Sequence, residues 1–410
     1  MNKLLWNRKK GVGGEKGTEG EKGTEDIYSG PEEYFLQSKK LPRARNKYPP
    51  SPFPPPSPFL SRRQMLQLLG TSALLPISAT ASAQSRPPGR TRVTLAGQAL
   101  MKYPICSNPY DGLAEVIAEL RKGDVIFTNL EVPIQTEASG APTRDTEFFH
   151  AGSQQTLDCL DRMGFNLLAL SNNHAWDLGT PGIVATRNAV AAAGFSHAGT
   201  GDNITQAAAP GYLYSPASAA LVSMAMGRIR EGGAATDTRP GSNEVRLGAD
   251  LVPNAEDFER NLASIRTAKQ HAGLVIAYLH NHEWGDDMAV TKPWAREFAR
   301  RCVDAGADIF VSHGAPLVHA IEMYRGKPML HGLGSLVFHS HTEIGYYVPE
   351  VWESAIVHLD FEDDTLIDIN IVPLWTNEVG DDPDNHWPTR GRPRLASGAQ
   401  AERIRARLLG

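Results

Sequence analysis

The run Phe165–Gly179 changes from apolar to ligand-bearing within one residue, Phe-Asn-Leu-Leu-Ala-Leu giving way to Ser171-Asn172-Asn173-His174, then Trp176 and Asp177. Asn and His bring neutral oxygen and nitrogen donors, and Asp177 brings a carboxylate. Such a set suits a divalent cation or a phosphate-like group. Alone, the stretch reads equally well as a loop with a capping Asn and a surface His. Recurrence separates the two readings. Asp124–Phe127 runs into Thr128-Asn129-Leu130-Glu131, Leu274–Leu279 into His280-Asn281-His282-Glu283, Asp308–Val311 into Ser312-His313-Gly314, and Val93–Ala96 into Gly97-Gln98. A buried parallel strand stays apolar until it leaves its sheet, and open α/β sheets carry their sites at the carboxyl ends of strands. Parallel strands would gather these five ends at one edge of a sheet, around a polynuclear metal or phosphate site.

The elements that must position these groups alternate. Strand-like runs starting at Val93, Asp124, Phe165, Leu274 and Asp308 are interleaved with helical patterns. The helices are expected over Gly112–Lys122, Ser153–Met163, Pro181–Ala193, Ala255–Gln270 and Trp294–Ala305. Glycines stand at the helix-to-strand junctions, where a left-handed residue closes a helix. Ala217–Ala225 reads as a further strand. His319–Tyr324, Pro328–His331, Ala355–Phe361 and Ile367–Val372 read as antiparallel strands, and Ala399–Leu409 as a closing helix. This mixture predicts an α/β fold in which a two-sheet sandwich is flanked by helices. Gly227–Val245 lacks periodicity and reads as a mobile insertion at the site mouth, with Arg228, Arg230 and Arg239 placed to meet an anion or simply solvated.

The order of these segments resembles the CapA family of capsule and poly-γ-glutamate synthesis proteins, whose fold is calcineurin-like metallophosphoesterase (αββα). The resemblance is carried by Asn129–Glu131, Gly164–Ile183, His197–Gly201, His280–Glu283, Ala305–Asp308 and Ser312–Phe338, and it spans about Val93 to Pro373. It implies Glu131, Asn173, His280 and His313 as metal ligands for Mn, Fe or Zn, with His282 beside them. It implies His174 as the catalytic acid, oriented by Asp177. Asn129, Gln98 and Glu283 are taken as substrate-binding positions. Three motifs depart from the family pattern, the last being the box at Gly332-Leu333-Gly334-Ser335-Leu336, and two expected ligands are absent. Gln98 replaces an aspartate that bridges two cations, and Pro316 stands where a second histidine belongs unless His319 substitutes one helical turn on. His319, His331 and His339 otherwise read as ordinary core or surface histidines. Trp176 and Trp284 each follow a ligand box and could wall the pocket.

The resemblance therefore supports a metal-dependent phosphoesterase or hydrolase acting on an envelope polymer or its precursor. Two other readings stay open: a non-catalytic assembly component that binds anionic polymer through a degenerate metal site, and a periplasmic module for a small anion.

Residues 1–60 repeat Gly-Glu-Lys-Gly-Thr-Glu and then turn proline-rich, a composition expected to stay disordered. Ser61-Arg62-Arg63 followed by a short apolar stretch and Ala81-Ser82-Ala83 resembles a twin-arginine export signal over residues 61–83. The stretch is too short to span a bilayer. Residues 84–410 would then form the working domain, periplasmic or on the cell surface, with other capsule-synthesis proteins as partners and no stable membrane span. They hold 28 basic and 39 acidic side chains, a net charge of −11, which argues against nucleic acid. All 13 histidines lie at or after His150. Cys159 and Cys302 fall on helical apolar faces and read as core. Cys106 lies in a loop, where a bridge is left open.

Overall fold

The computed structural model describes residues 89–410 apart from 145–147, 249, 251, 286 and 383–385. The expected extension, export signal and cleavage site lie outside the described residues.

Two sheets stack face to face. The first has seven strands in the order Pro393–Leu395, Thr365–Thr376, Glu353–Glu362, Arg90–Ala96, Val125–Asn129, Leu167–Ala169 and Ser196–Ala198. Its first four strands pair antiparallel, and from Arg90–Ala96 onward the pairing is parallel. The second has six strands in the order Ile321–Tyr324, Lys327–Leu330, Ile309–His313, Leu274–Asn281, Ala219–Met226 and Gly211–Leu213. Its inner strands are parallel and its two edge pairs antiparallel.

Strand alternation builds three apolar layers from this plan. Val125 and Phe127 face Leu274, Ile276, Tyr278, Ile309 and Val311 in a core between the sheets. Ile126, one residue out of phase, faces the opposite way. It meets Leu113, Val116 and Leu120 of the helix Leu113–Leu120 and Leu157, Leu160 and Met163 of the helix Gln154–Met163. On the far side Val275, Ala277 and Leu279 pack against Phe258, Leu262 and Ile265 of the helix Ala255–His271 and Phe298 and Cys302 of the helix Pro293–Asp304. Both faces of each central strand are covered, which is why these strands read as unbroken apolar runs rather than alternating ones. The helix–sheet–sheet–helix sandwich expected from the alternation is the architecture found.

Several finer expectations change. The five ligand-bearing strand ends do not share one sheet: three leave the first sheet and two the second, and they meet at the same end of the sandwich. Pro328–His331, expected to be antiparallel, pairs antiparallel with Ile321–Tyr324 on one side and parallel with Ile309–His313 on the other. Cys159 is more than a core residue: it forms a disulfide with Cys106, tying the helix Gln154–Met163 to the 3-10 turn Ile105–Ser107 that follows the short strand Gln98–Leu100. Within Gly227–Val245, a backbone bond from Ser242 to Gly233 braces the insertion on itself and one from Asn243 to Gly199 holds it against the body.

Candidate metal centre

The polar residues at the ends of the inner strands are buried together. Asn129, Glu131, Asn173, His174, Asp177, His280 and His313 are all less than a tenth exposed. Burying so many donors in a sandwich core requires that they satisfy one another or a ligand.

His280 is the hub. Its Nε2 is 2.9 Å from Asn173 Oδ1, 3.1 Å from His282 Nε2 and 3.4 Å from Glu131 Oε1. Its other nitrogen, Nδ1, lies 3.3 Å from the Tyr278 hydroxyl and 3.4 Å from Asn129 Nδ2. A tyrosine hydroxyl donates or accepts equally well. With its proton on Nδ1 donated to Tyr278 the ring frees Nε2 for a cation, and the long Asn129 contact is then no hydrogen bond, because an amide NH₂ only donates. Among the described residues, one group of metal-ligating side chains brings donor atoms within 4.8 Å of one another: Glu131, His280 and His282. Asn173 adds an amide oxygen. Glu131 Oε2 is buried with no hydrogen-bond partner, as expected for a carboxylate oxygen whose proper partner is an ion. An N₂O₂ set of this kind fits Mn, Fe or Zn.

The local electrostatics favour the neutral form of all three titratable ligands. Burial, reinforced by the charge of Asp177, pushes the Glu131 carboxyl well above the ordinary carboxylate range. Burial likewise holds His280 and His282 well below the usual imidazole value, so both are neutral and able to ligate.

The framework holding these donors is specific. Asn172 donates from Nδ2 to Leu130 O at 2.8 Å and to Asn129 Oδ1 at 3.1 Å, and its own Oδ1 accepts from the His174 backbone at 3.0 Å. One side chain thus locks the ends of two neighbouring strands. The His282 backbone donates to Met226 O at 2.8 Å. Gly314 has φ +112, and a Cβ there would lie 2.0 Å from Asn281 O; only glycine lets the two histidine-bearing strand ends approach this closely.

His174 forms a second unit beside the hub. Its Nδ1 is 2.9 Å from Asp177 Oδ2, which also accepts from the His150 backbone at 3.1 Å. Asp177 Oδ1 is held by Arg144 and Arg230, each at 2.8 Å. The carboxylate can only accept, so His174 carries its proton on Nδ1 and presents a lone pair at Nε2.

His313 stands opposite His280 in the ladder between their strands but is not part of the three-residue group. Its ring packs edge-on against Tyr278 at 5.4 Å, and both its nitrogens are buried without partners. Burial pushes it down to about 3. The Gln98 Oε1 accepts from the Gly314 backbone at 2.9 Å. His319 does not substitute for the missing histidine, because Thr291 and Met288 O occupy its two nitrogens. Glu283 packs over Gly227 at the rim, half buried. Trp284 lies 4.7 Å from the His282 ring, and Trp176 carries Arg230 over its face.

Sequence reasoning missed Tyr278, Arg144 and His150. Tyr278 sits inside an apolar run where an aromatic reads as core, and the other two lie in an aperiodic loop. Arg230, expected to meet an anion or solvent, meets Asp177.

Two stacked mixed sheets between helix layers, with donors at the carboxyl ends of the inner strands, define a metallophosphoesterase-like fold. The chain belongs to the family described as bacterial capsule synthesis protein PGA_cap, whose profile matches residues 85–340. The capsule biosynthesis protein CapA of Bacillus anthracis is 26% identical over 270 residues, covering 64% of this chain and 61% of that protein. A probable polyglutamine synthesis accessory protein of Mycobacterium tuberculosis is 28% identical over 274 residues, covering 64% and 69%. An uncharacterized protein of Sinorhizobium fredii is 25% identical over 314 residues, covering 63% and 68%.

Proposed function

We propose that this protein acts in the synthesis of an anionic envelope polymer of the poly-γ-glutamate type, and that the pocket around His280 is a metal-dependent hydrolase or phosphoesterase site. The observation that carries the reading is the convergence of Glu131 Oε1, Asn173 Oδ1 and His282 Nε2 on His280 Nε2. Glu131, Asn173, His280 and His282 would hold the ion. When bound, a divalent cation lowers the pKa of coordinated water to about 7 and polarises the scissile bond.

The rest is done by the chain's own groups. Asp177, clamped by Arg144 and Arg230, fixes the tautomer of His174 and its direction. His174 Nε2 then takes up a proton and passes it to the leaving oxygen. Asn129 and Asn172 keep the two strand ends in register. Glu283 at the rim and Gln98 beneath Gly314 shape the space for substrate.

A second reading has one observation in its favour. Gln98 supplies a neutral amide where a bridging carboxylate would stand, and it spends its oxygen on Gly314. A non-catalytic component that binds polymer or a small anion through the same pocket would tolerate that. Hydrolysis of a generic phosphodiester and of a γ-linked glutamate oligomer by the purified chain separates the two. Turnover abolished in His174→Ala supports catalysis. Metal-free protein that binds anion without turnover supports the second reading.

The Ser61–Ala83 segment leads us to place the protein outside the cytoplasmic membrane by twin-arginine export, beside other capsule-synthesis proteins. No helix of the described residues is long and apolar enough to cross a membrane.

A further inference from the structure

The side of the centre beyond His174 is cationic, aromatic and poor in partners. His150 packs edge-on against His174, ring centroids 4.6 Å apart. It is 3% exposed, and its Nδ1 has no hydrogen-bond partner. Next to it Lys102, half buried, donates to Phe149 O at 3.5 Å, and among the described residues no carboxylate pairs with it. The following residue, Tyr103, hydrogen-bonds His341 Nε2 through its hydroxyl at 3.0 Å and stacks on the same ring at 5.9 Å. Its backbone donates to His339 Nδ1 at 3.1 Å. Trp387 covers the outer side of His341 at 4.9 Å.

The placement follows from the fold. Lys102 and Tyr103 leave the short strand Gln98–Leu100, and His339 and His341 leave its parallel partner Ser335–Phe338. Both segments therefore open toward the end of the sandwich that holds the histidine hub. The charge of Lys102 is felt at His150, His339 and His341, which shows how closely these groups are gathered.

Among the described residues the half-buried Lys102 ammonium has no carboxylate partner, a costly arrangement that the partnerless buried His150 Nδ1 beside it reinforces. Its usual remedy is an anion brought by a ligand. We propose that Lys102, His150, Tyr103 and His341 form a subsite for an anionic group of the substrate, a carboxylate or phosphate one step along from the reacting bond. This rests on the pocket being a substrate site but not on its holding metal. Lys102 supplies the charge, His150 Nδ1 and the Tyr103 hydroxyl supply directed hydrogen bonds, and Trp387 closes the side. Such a subsite gives an acidic domain a local means of holding an acidic polymer.

The test is calorimetric titration of the full chain with a γ-linked glutamate oligomer and, separately, with inorganic phosphate, at low and at high salt. Binding of either probe that weakens with salt, and falls about tenfold in Lys102→Gln while Lys102→Arg retains it, supports the subsite. The probe that binds identifies the anion. His280→Ala separates the two proposals: retained anion binding with lost metal supports the subsite, whereas anion binding lost together with the metal places the anion on the ion and overturns it. Binding unchanged in Lys102→Gln, or no binding of either probe, overturns it as well.

Discussion

At the scale of single residues the centre is governed by protonation. Glu131 has to give up a proton before it can hold a cation, and burial makes that proton hard to lose. Metal affinity should therefore rise with pH, with proton release on binding, across the range where Glu131 ionises. Titrating Mn²⁺ in two buffers of different ionisation enthalpy measures the released proton directly. Glu131→Gln should flatten the pH dependence and weaken binding. At the neighbouring unit, Asp177→Asn keeps the shape but offers an amide to His174, which no longer fixes the tautomer. Turnover of a phosphodiester should fall by about 100-fold or more while bound metal is unchanged. Equal loss of metal would mean that Asp177 acts structurally on the whole pocket.

At the scale of elements, register does the positioning. The Gly314 backbone lies against Asn281 O, so Gly314→Ala should push the His280 and His313 strand ends apart. The expected cost is about 2–4 kcal/mol of stability together with weaker metal binding. Urea unfolding and metal titration on the same sample check both. The Cys106–Cys159 bridge closes a loop across 53 positions, and Cys159→Ser should cost about 2–4 kcal/mol, read from the unfolding midpoint without reductant. This is also the scale at which the sequence was most and least readable. The apolar runs ending in Asn129, Asn173, His280 and His313 were legible because buried parallel strands carry no polar residue until they exit. Their division between two sheets was not, since an apolar run looks the same in either layer. The bridge was hidden because Cys159 has a helical, apolar neighbourhood. The roles of Arg144, His150 and Lys102 depend on contacts between loops with no periodicity to read. The exclusion of His319 turned on Thr291 and Met288, which are near it only in three dimensions.

For the whole molecule, the buried histidines set the response to acid. Burial lowers His319 to about 4 and His339 to about 3, and lowers His150 and His313 as well. In the unfolded chain each titrates near about 6.5. Between those limits the unfolded state binds more protons, so the stability these groups contribute is full above pH about 6.5 and is lost progressively as pH falls toward 4 and then 3. Glu131, Glu244 and Glu283, raised by burial, work in the opposite sense and are outnumbered. The urea midpoint of chelator-treated protein should accordingly be lower at pH 5 than at pH 7.5. An unchanged or higher midpoint would show that these imidazoles reach water in solution.

The central claim is that distant strand ends deliver Glu131, Asn173, His280 and His282 to one ion. Elemental analysis of the purified chain, before and after equilibration with Mn²⁺, Fe²⁺ and Zn²⁺, tests it most directly. About one tightly held ion per chain is expected, present in wild type and absent in a folded His280→Ala variant. A wild-type chain that stays metal-free at saturating concentrations of all three, or a His280→Ala chain that keeps its ion, would contradict it.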